Sequence, residues 1–128
     1  MVISFDFDLT LCTSEWEASS LCRWGIDIYT PKMVFIQLLQ EYHALGITCI
    51  ILTARHSNWD NRTEIEKFLH EHNAAHCVKK IVFTNLNLKG EYAYRENVVL
   101  HYDDDQDQIA DVRSYGIRVV DSLGEISL

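Results

Sequence analysis

The hydrophobic pattern predicts an α/β fold: a doubly wound sandwich with about five parallel strands. Three observations carry that reading. Short β-rich runs alternate with stretches of helical spacing. The run Ile47 to Leu52 is apolar almost throughout and rich in β-branched residues, the mark of a strand covered on both faces. Each unusual polar cluster falls at the carboxyl end of such a run, where ligands bind in open parallel sheets.

Taken in order, Val2 to Phe7 reads as a short buried strand that ends at Asp6 and Asp8. Asp8 to Thr30, with Trp16, Trp24 and Tyr29, has no clean period and reads as a structured excursion, partly helical. Pro31 suits the first turn of a helix that runs to about Leu45, and Gly46 suits its end. Val34, Phe35, Leu38, Leu39 and Tyr42 give that helix its inner face. Ile47 to Leu52 is the second strand, followed by Thr53, Ala54 and Arg55. A helix over roughly Asn61 to Asn73, a strand over Ile81 to Thr84 and a strand over Val98 to Tyr102 come next. A helix from about Gln106 to Tyr115, closed by Gly116, leads to a last strand over Ile117 to Val120. Strands and helices in this alternation imply right-handed crossovers with helices on both faces.

The chain of 128 residues is long enough for one domain with a core of its own, so residues 1–128 are read as a single unit. No apolar run approaches the roughly 18 residues of a membrane span, which predicts a chain without membrane segments. The first residues carry no basic stretch before an apolar one, and a cytoplasmic location is expected. The net charge of -8 disfavours non-specific binding to nucleic-acid backbones or anionic membranes. Cys12, Cys22, Cys49 and Cys77 form no CxxC pair and read as reduced thiols.

Two acidic clusters stand out. Asp6 and Asp8 lie two apart, so near a strand end both carboxylates can converge on one ligand. Left together they repel, and protons or a cation must resolve the conflict. A hard divalent cation fits, magnesium needing only one or two carboxylates besides water and phosphate. The plainer reading is a pair of turn or capping aspartates. Asp103, Asp104, Asp105 and Asp107 follow the strand that ends at Tyr102. A helix N-terminus accounts well for Asp105 and Asp107, less well for Asp103 and Asp104, which sit nearer the strand. Thr53 at a strand-to-loop turn can hold a phosphoryl oxygen, or can simply close the turn. Lys89 can serve as a point charge for phosphate or for crowded carboxylates, or can be a solvated lysine.

FDFDLT, then ILTAR, then a lysine, then a strand ending in DD, in that order, resembles the haloacid dehalogenase-like superfamily of phosphohydrolases. The resemblance runs from Val2 to about Asp121. It implies a Rossmann-like three-layer sandwich and a Mg2+ cofactor. Asp6 is then the nucleophile that forms an aspartyl-phosphate, and Asp8 the acid and base, with its backbone carbonyl on the metal. Asp104 is the direct acidic ligand and Asp103 an outer one near Lys89. Thr53 and Lys89 hold the phosphoryl group. The spacing to Gly116-Ile117 selects Asp103-Asp104 as the motif's pair. Lys79 and Lys80 compete for the lysine role but precede the third strand. One departure is Leu9, which stands where the usual motif, DxDGT, has glycine.

Thr10 to Pro31 is too short for a helical cap, so the chain resembles capless members, which admit large substrates or borrow a lid from another subunit. ILTAR and LKGEYAYREN are also similar to the phosphatase module of phage polynucleotide kinases. That similarity implies Arg55 as a substrate-binding residue and a nucleotide or a 3'-phosphorylated nucleic-acid end as substrate. Trp16, Trp24 and Tyr29 either stack on a base or pin the excursion to the core. A monomer and a small homo-oligomer are both open. His70, His72 and His76 read as a helix terminus rather than a zinc site. His101 either packs in its strand or tunes Asp103.

Readings from other classes remain. A signalling receiver domain has its acidic pair after the first strand and an acceptor aspartate after the third, which this motif order lacks. A catalytically inactive phosphate- or metal-binding module needs no nucleophile and acid together. A phosphoprotein phosphatase shares the site but not the substrate. Dehalogenation would not call for Asp8 or the DD ligand.

Overall fold

The computed structural model describes residues 1–17 and 26–124. It contains a five-stranded parallel sheet flanked by helices, the fold class predicted, and the described residues form no separate cap domain. The strands are β1 (Val2–Phe5), β4 (Thr48–Thr53), β5 (Val78–Phe83), β6 (Val98–Asp103) and β7 (Arg118–Asp121), in spatial order β5-β4-β1-β6-β7. Every pairing in this sheet is parallel. From β1 the chain builds outward to β4 and β5, then returns to the other side of β1 for β6 and β7. The strand order therefore reverses between β1 and β6, and a crevice for ligands opens there at the carboxyl ends.

The helices are α1 (Met33–Ala44), α2 (Trp59–Glu71), α3 (Gly90–Arg95) and α4 (Gln106–Ser114). Alternation along β4 explains the two cores. Cys49 and Ile51 join Phe5, Phe7, Phe35, Leu39, Ile65 and Phe68 on one face. Ile50 and Leu52 join Ala93, Val98, Ile109 and Val112 on the other. Burying both faces is what an uninterrupted apolar strand requires. Among the described residues no helix is long and apolar enough to cross a membrane.

Local chemistry sets the boundaries. Gly46 takes φ +78°, and the Gly46 and Ile47 amides donate to the carbonyls of His43 and Tyr42, closing α1 in a Schellman turn. The Asn58 side chain accepts from the Asn61 amide to start α2, and Asp105 accepts from the Asp107 and Gln108 amides to start α4. Asp105 is thus the helix cap expected of it.

Two expectations need correction, and one element is added. The segment after Asp8 is not helical where it is described. It forms an antiparallel hairpin, β2 (Cys12–Glu17) with β3 (Ile26–Pro31). The Ile26 to Thr30 run alternates in a β-rich way that outweighs its lack of helical period. Pro31 ends β3 instead of opening α1, where its missing N–H costs no sheet bond at the hairpin's edge. Finally, α3 is an addition, because six residues are too few to show a period. Cys22 and Trp24 lie outside the described residues, and nothing bears on the side chain of Trp16.

Leu9 adopts φ +64°, the left-handed region that a side chain resists. Its side chain is 45% exposed, so little apolar burial is at stake. The conformation costs ~1–2 kcal/mol for a non-glycine residue, and glycine's freer unfolded chain offsets roughly 0.4–1 of that. Leu9→Gly is expected to raise stability by about 0.5–1 kcal/mol in a urea titration. A destabilised variant would show that Leu9 makes a compensating contact.

Candidate active site

Asp6 follows β1 directly, and its amide donates to the Tyr102 carbonyl of β6 at 2.9 Å. That bond sets Asp6 beside Asp103, the last residue of β6. Between them sits Lys89, from the loop before α3. Its Nζ donates to Asp6 Oδ1 at 2.8 Å and to Asp103 Oδ2 at 2.7 Å. Lys89 is only 2% exposed, and its own backbone amide donates to Gln108 Oε1. A lysine this deep stays charged only because carboxylates surround it. Burial alone lowers its pKa, but Asp6 and Asp103 raise it above the ordinary value. Lys79 and Lys80 lie in β5 with exposed side chains, and Lys80 pairs with Glu96, away from the aspartates.

Asp103 is fully buried and accepts four hydrogen bonds. Lys89 and His101 Nε2 donate to Oδ2, each at 2.7 Å, while the Asp104 and Asp105 amides donate to Oδ1. Burial works to raise its pKa, but the His101 bond and the Lys89 charge prevail and hold the carboxyl below the usual range. These four bonds fill the lone-pair sites a carboxylate offers. The oxygens left for a metal are therefore those of Asp6 and Asp104, and Asp103 organises its neighbours.

Asp6 behaves oppositely. Burial pushes its pKa well above the usual carboxylate range, and Asp103 and Asp104 add to this, against the pull of Lys89. Its second oxygen, Oδ2, accepts from Thr10 Oγ1 at 3.3 Å, and that hydroxyl pairs with Ser122 Oγ at 3.0 Å. Oxygens of Asp6, Asp103 and Asp104 lie within 4.8 Å of one another. With one ammonium against three carboxylates, the cluster keeps uncompensated negative charge. All its donors are hard oxygens, so the residues present fit Mg2+.

Asp8 stands apart. Its carboxylate is gripped bidentately by Arg55, with Nε to Oδ2 at 2.9 Å and Nη2 to Oδ1 at 2.7 Å. The remaining Arg55 hydrogens go to Asn61, Glu64 and Tyr29. All five donors of the guanidinium are thereby engaged. Burial opposes its charge, yet the Asp8 and Tyr29 bonds raise its pKa further. The Tyr29 hydroxyl is pushed up to about 12 by burial and by its bond to Glu64. Tyr29 also lies near Phe7 and beneath the guanidinium, so of its two readings it takes the one that pins the hairpin to the core. Arg55, expected on substrate, pairs here with Asp8 and Glu64.

Thr53 ends β4, buried, and its Oγ1 accepts from the Arg55 amide at 3.3 Å, leaving its own hydrogen to donate elsewhere. Burial, with the Asp8 charge next, pushes the Cys12 thiol up to about 12, and burial raises Cys49 and Cys77 as well. None of these is a thiolate nucleophile at neutral pH. His76 turns to Cys77 and His43 rather than to His70 and His72.

Ser4, Gln108 and Ser122 are residues of the site that the sequence reading does not single out, and Thr10 enters it there only as the last residue of FDFDLT. Ser4 has one available signal: a lone hydroxyl in an apolar strand, two residues before Asp6 and hence on its face. A groove of about 780 Å³ along α2 and the outer strand β5 shares no lining residue with this cluster. Comparison with known proteins finds no family model and no curated protein that matches the chain.

Proposed function

We propose that the chain is a magnesium-dependent phosphomonoester hydrolase of the haloacid dehalogenase-like kind, with Asp6 as nucleophile. The observation that supports this best is the buried Asp6–Lys89–Asp103 chain with Asp104 alongside, placed where the strand order reverses. A purely structural role gives no reason to bury an acid whose charged form is disfavoured, when a neutral residue would fit.

In this reading an Asp6 oxygen attacks phosphorus, the bond to the leaving oxygen breaks, and an aspartyl-phosphate forms. Lys89 neutralises charge on the nucleophile and the phosphoryl oxygens. The Thr53 hydroxyl donates to a phosphoryl oxygen. Asp8 gives a proton to the leaving oxygen, then takes one from the water that cleaves the aspartyl-phosphate. Mg2+, held by Asp6 and Asp104, would supply charge stabilisation for the transferred group. Asp103 fixes Lys89 and the loop that carries Asp104.

With Arg55 spent on Asp8 and Glu64, no spare guanidinium flanks the nucleophile among the described residues. That favours a substrate with one phosphomonoester, such as a nucleoside monophosphate or a 3'-phosphorylated nucleic-acid end, over a polyphosphate. A phosphoprotein is the remaining substrate class compatible with an uncapped mouth.

The test is phosphate release from 3'-phosphorylated oligonucleotides, nucleoside monophosphates, sugar phosphates, a phosphopeptide and an aryl phosphate, with magnesium and with chelator. Metal-dependent release supports the proposal, and the preferred member names the substrate class. No release from any member sinks it in favour of a binding module. Asp104→Asn is expected to shift the half-saturating magnesium concentration upward by about tenfold or more, since it removes one of two available anionic ligands. An unchanged titration would move the ligand to another acid.

A further inference from the structure

We infer that Ser4 and His101 are positioning residues for Asp6, acting through Asp103 and Lys89. The inference rests on the reading of Asp6 as nucleophile.

The sheet register places the four side chains in a square. Ser4 of β1 and His101 of β6 are partners across the strand pair. Asp103 lies two residues further along β6, and Asp6 two residues beyond Ser4, just past the end of β1, so both rows point to one face. The upper row is the candidate site. The lower row is polar where the surrounding positions of both strands are apolar, and both of its members are wholly buried. Apolar side chains would fill that space without the cost of burying a hydroxyl and an imidazole.

The bonding is directional. The Asp103 carboxylate can only accept, so at 2.7 Å His101 Nε2 carries the hydrogen. In the neutral imidazole Nδ1 is then an acceptor, and Ser4 Oγ, at 2.6 Å, donates to it. Ser4 thus selects the imidazole tautomer that serves Asp103. His101 in turn occupies one lone pair of Asp103 Oδ2, and Lys89 occupies the other. A lysine ammonium has rotatable donors on a flexible stem. With His101 absent, Oδ2 keeps Lys89 as its only donor and pulls the ammonium closer to Asp103, at the expense of the bond to Asp6 Oδ1. The histidine therefore sets how Lys89 is shared between the two aspartates, and so how Asp6 faces a phosphorus atom. It touches neither substrate nor Asp6.

Three variants separate positioning from mere packing: His101→Leu, His101→Gln and Ser4→Ala. For an aryl phosphate with saturating magnesium, kcat of the leucine variant is expected to fall about 10- to 100-fold, the worth of a charge-assisted hydrogen bond. KM should stay within about twofold, since no substrate contact is lost. The His101→Gln side chain carries an N–H donor at a similar reach and should recover kcat to within about fivefold of wild type. Ser4→Ala should fall between them. A purely structural histidine would lower the melting temperature while kcat per folded molecule held, and glutamine would do no better than leucine; either result overturns the inference.

A second readout needs no turnover. Nitrogen-15 shifts of the wild-type imidazole should report the Nε2–H tautomer at neutral pH, with the pattern disturbed in Ser4→Ala. An Nδ1–H tautomer in wild type would refute the bond chain by itself. Wild type inactive on every phosphate ester would remove the hydrolase reading and this role with it. Active wild type with unaffected His101 variants would remove this role alone.

Discussion

Asp6→Asn is expected to lose turnover by on the order of 10⁴-fold while gaining thermal stability. The two effects share one cause. Asparagine keeps the shape of Asp6 and an oxygen for Lys89, but it is no nucleophile and carries no charge. Burial, opposed by Lys89 and reinforced by Asp103 and Asp104, raises the Asp6 pKa, so folding disfavours the charged form relative to the unfolded chain. A carboxyl with a raised folded pKa makes the native state less stable above that value, and the penalty disappears as pH falls and the native state takes up its proton. With chelator present, the variant should melt above wild type at pH 8. The difference should shrink as pH falls toward the ordinary carboxylate range. Magnesium should reverse the order, stabilising wild type by mass action and the variant less. Near-normal turnover in Asp6→Asn would remove the nucleophile assignment. A lower melting temperature at pH 8 would mean that the Lys89 bond outweighs the burial of the charge.

Lys89→Met should have the largest structural effect. It leaves two adjacent buried carboxylates with no cation between them, a change that typically costs about 3–5 kcal/mol. The lysine's raised pKa gives the sign: its contribution is fully present below the ordinary lysine value and is lost as pH rises through the higher folded value. Across pH 5 to 9 the lysine is therefore charged, and the carboxylates decide the trend. The loss in Lys89→Met should be greatest at pH 9 and should lessen toward pH 5, as Asp6 takes up a proton in the variant. Urea titrations at several pH values test this. Turnover should vanish throughout. A variant as stable as wild type would show that Asp6 and Asp103 are not coupled through Lys89.

Much of the scaffold is legible from residue order alone. β4 announces itself because a strand covered on both faces has no polar position to spare. Asp6, Asp103 and Asp104 stand out because carboxylates at strand ends are costly without a task. The hairpin escapes such a reading because Cys12 to Glu17 is mostly polar and only the short Ile26 to Thr30 run alternates. Arg55 reads as a substrate ligand only through the similarity of ILTAR to another module, and its partners Asp8 and Tyr29 are far off in the sequence. Only the folded chain brings Asp8, Glu64 and Tyr29 around it. Ser4 and His101 are harder still: ninety-seven positions separate them, and their meeting depends on the register of β1 against β6. Leu9 is an anomaly already in the sequence, and its positive φ shows where that anomaly is stored.

The long span of these pairings also bears on synthesis. Thr10 meets Ser122 across 112 positions, and the Ser122 amide donates to the Asp103 carbonyl at 2.8 Å. A ribosome delivers Asp6, Asp8 and the first half of the sheet well before Lys89, Asp103 or Ser122. In that interval Asp6 has neither its ammonium nor its backbone partner on β6 and stays hydrated at an unfinished edge of β1. Docking of β6 then brings the cation, the second acid and the desolvation together. A nascent chain held short of β6 would thus expose the whole of the first motif yet possess no assembled centre.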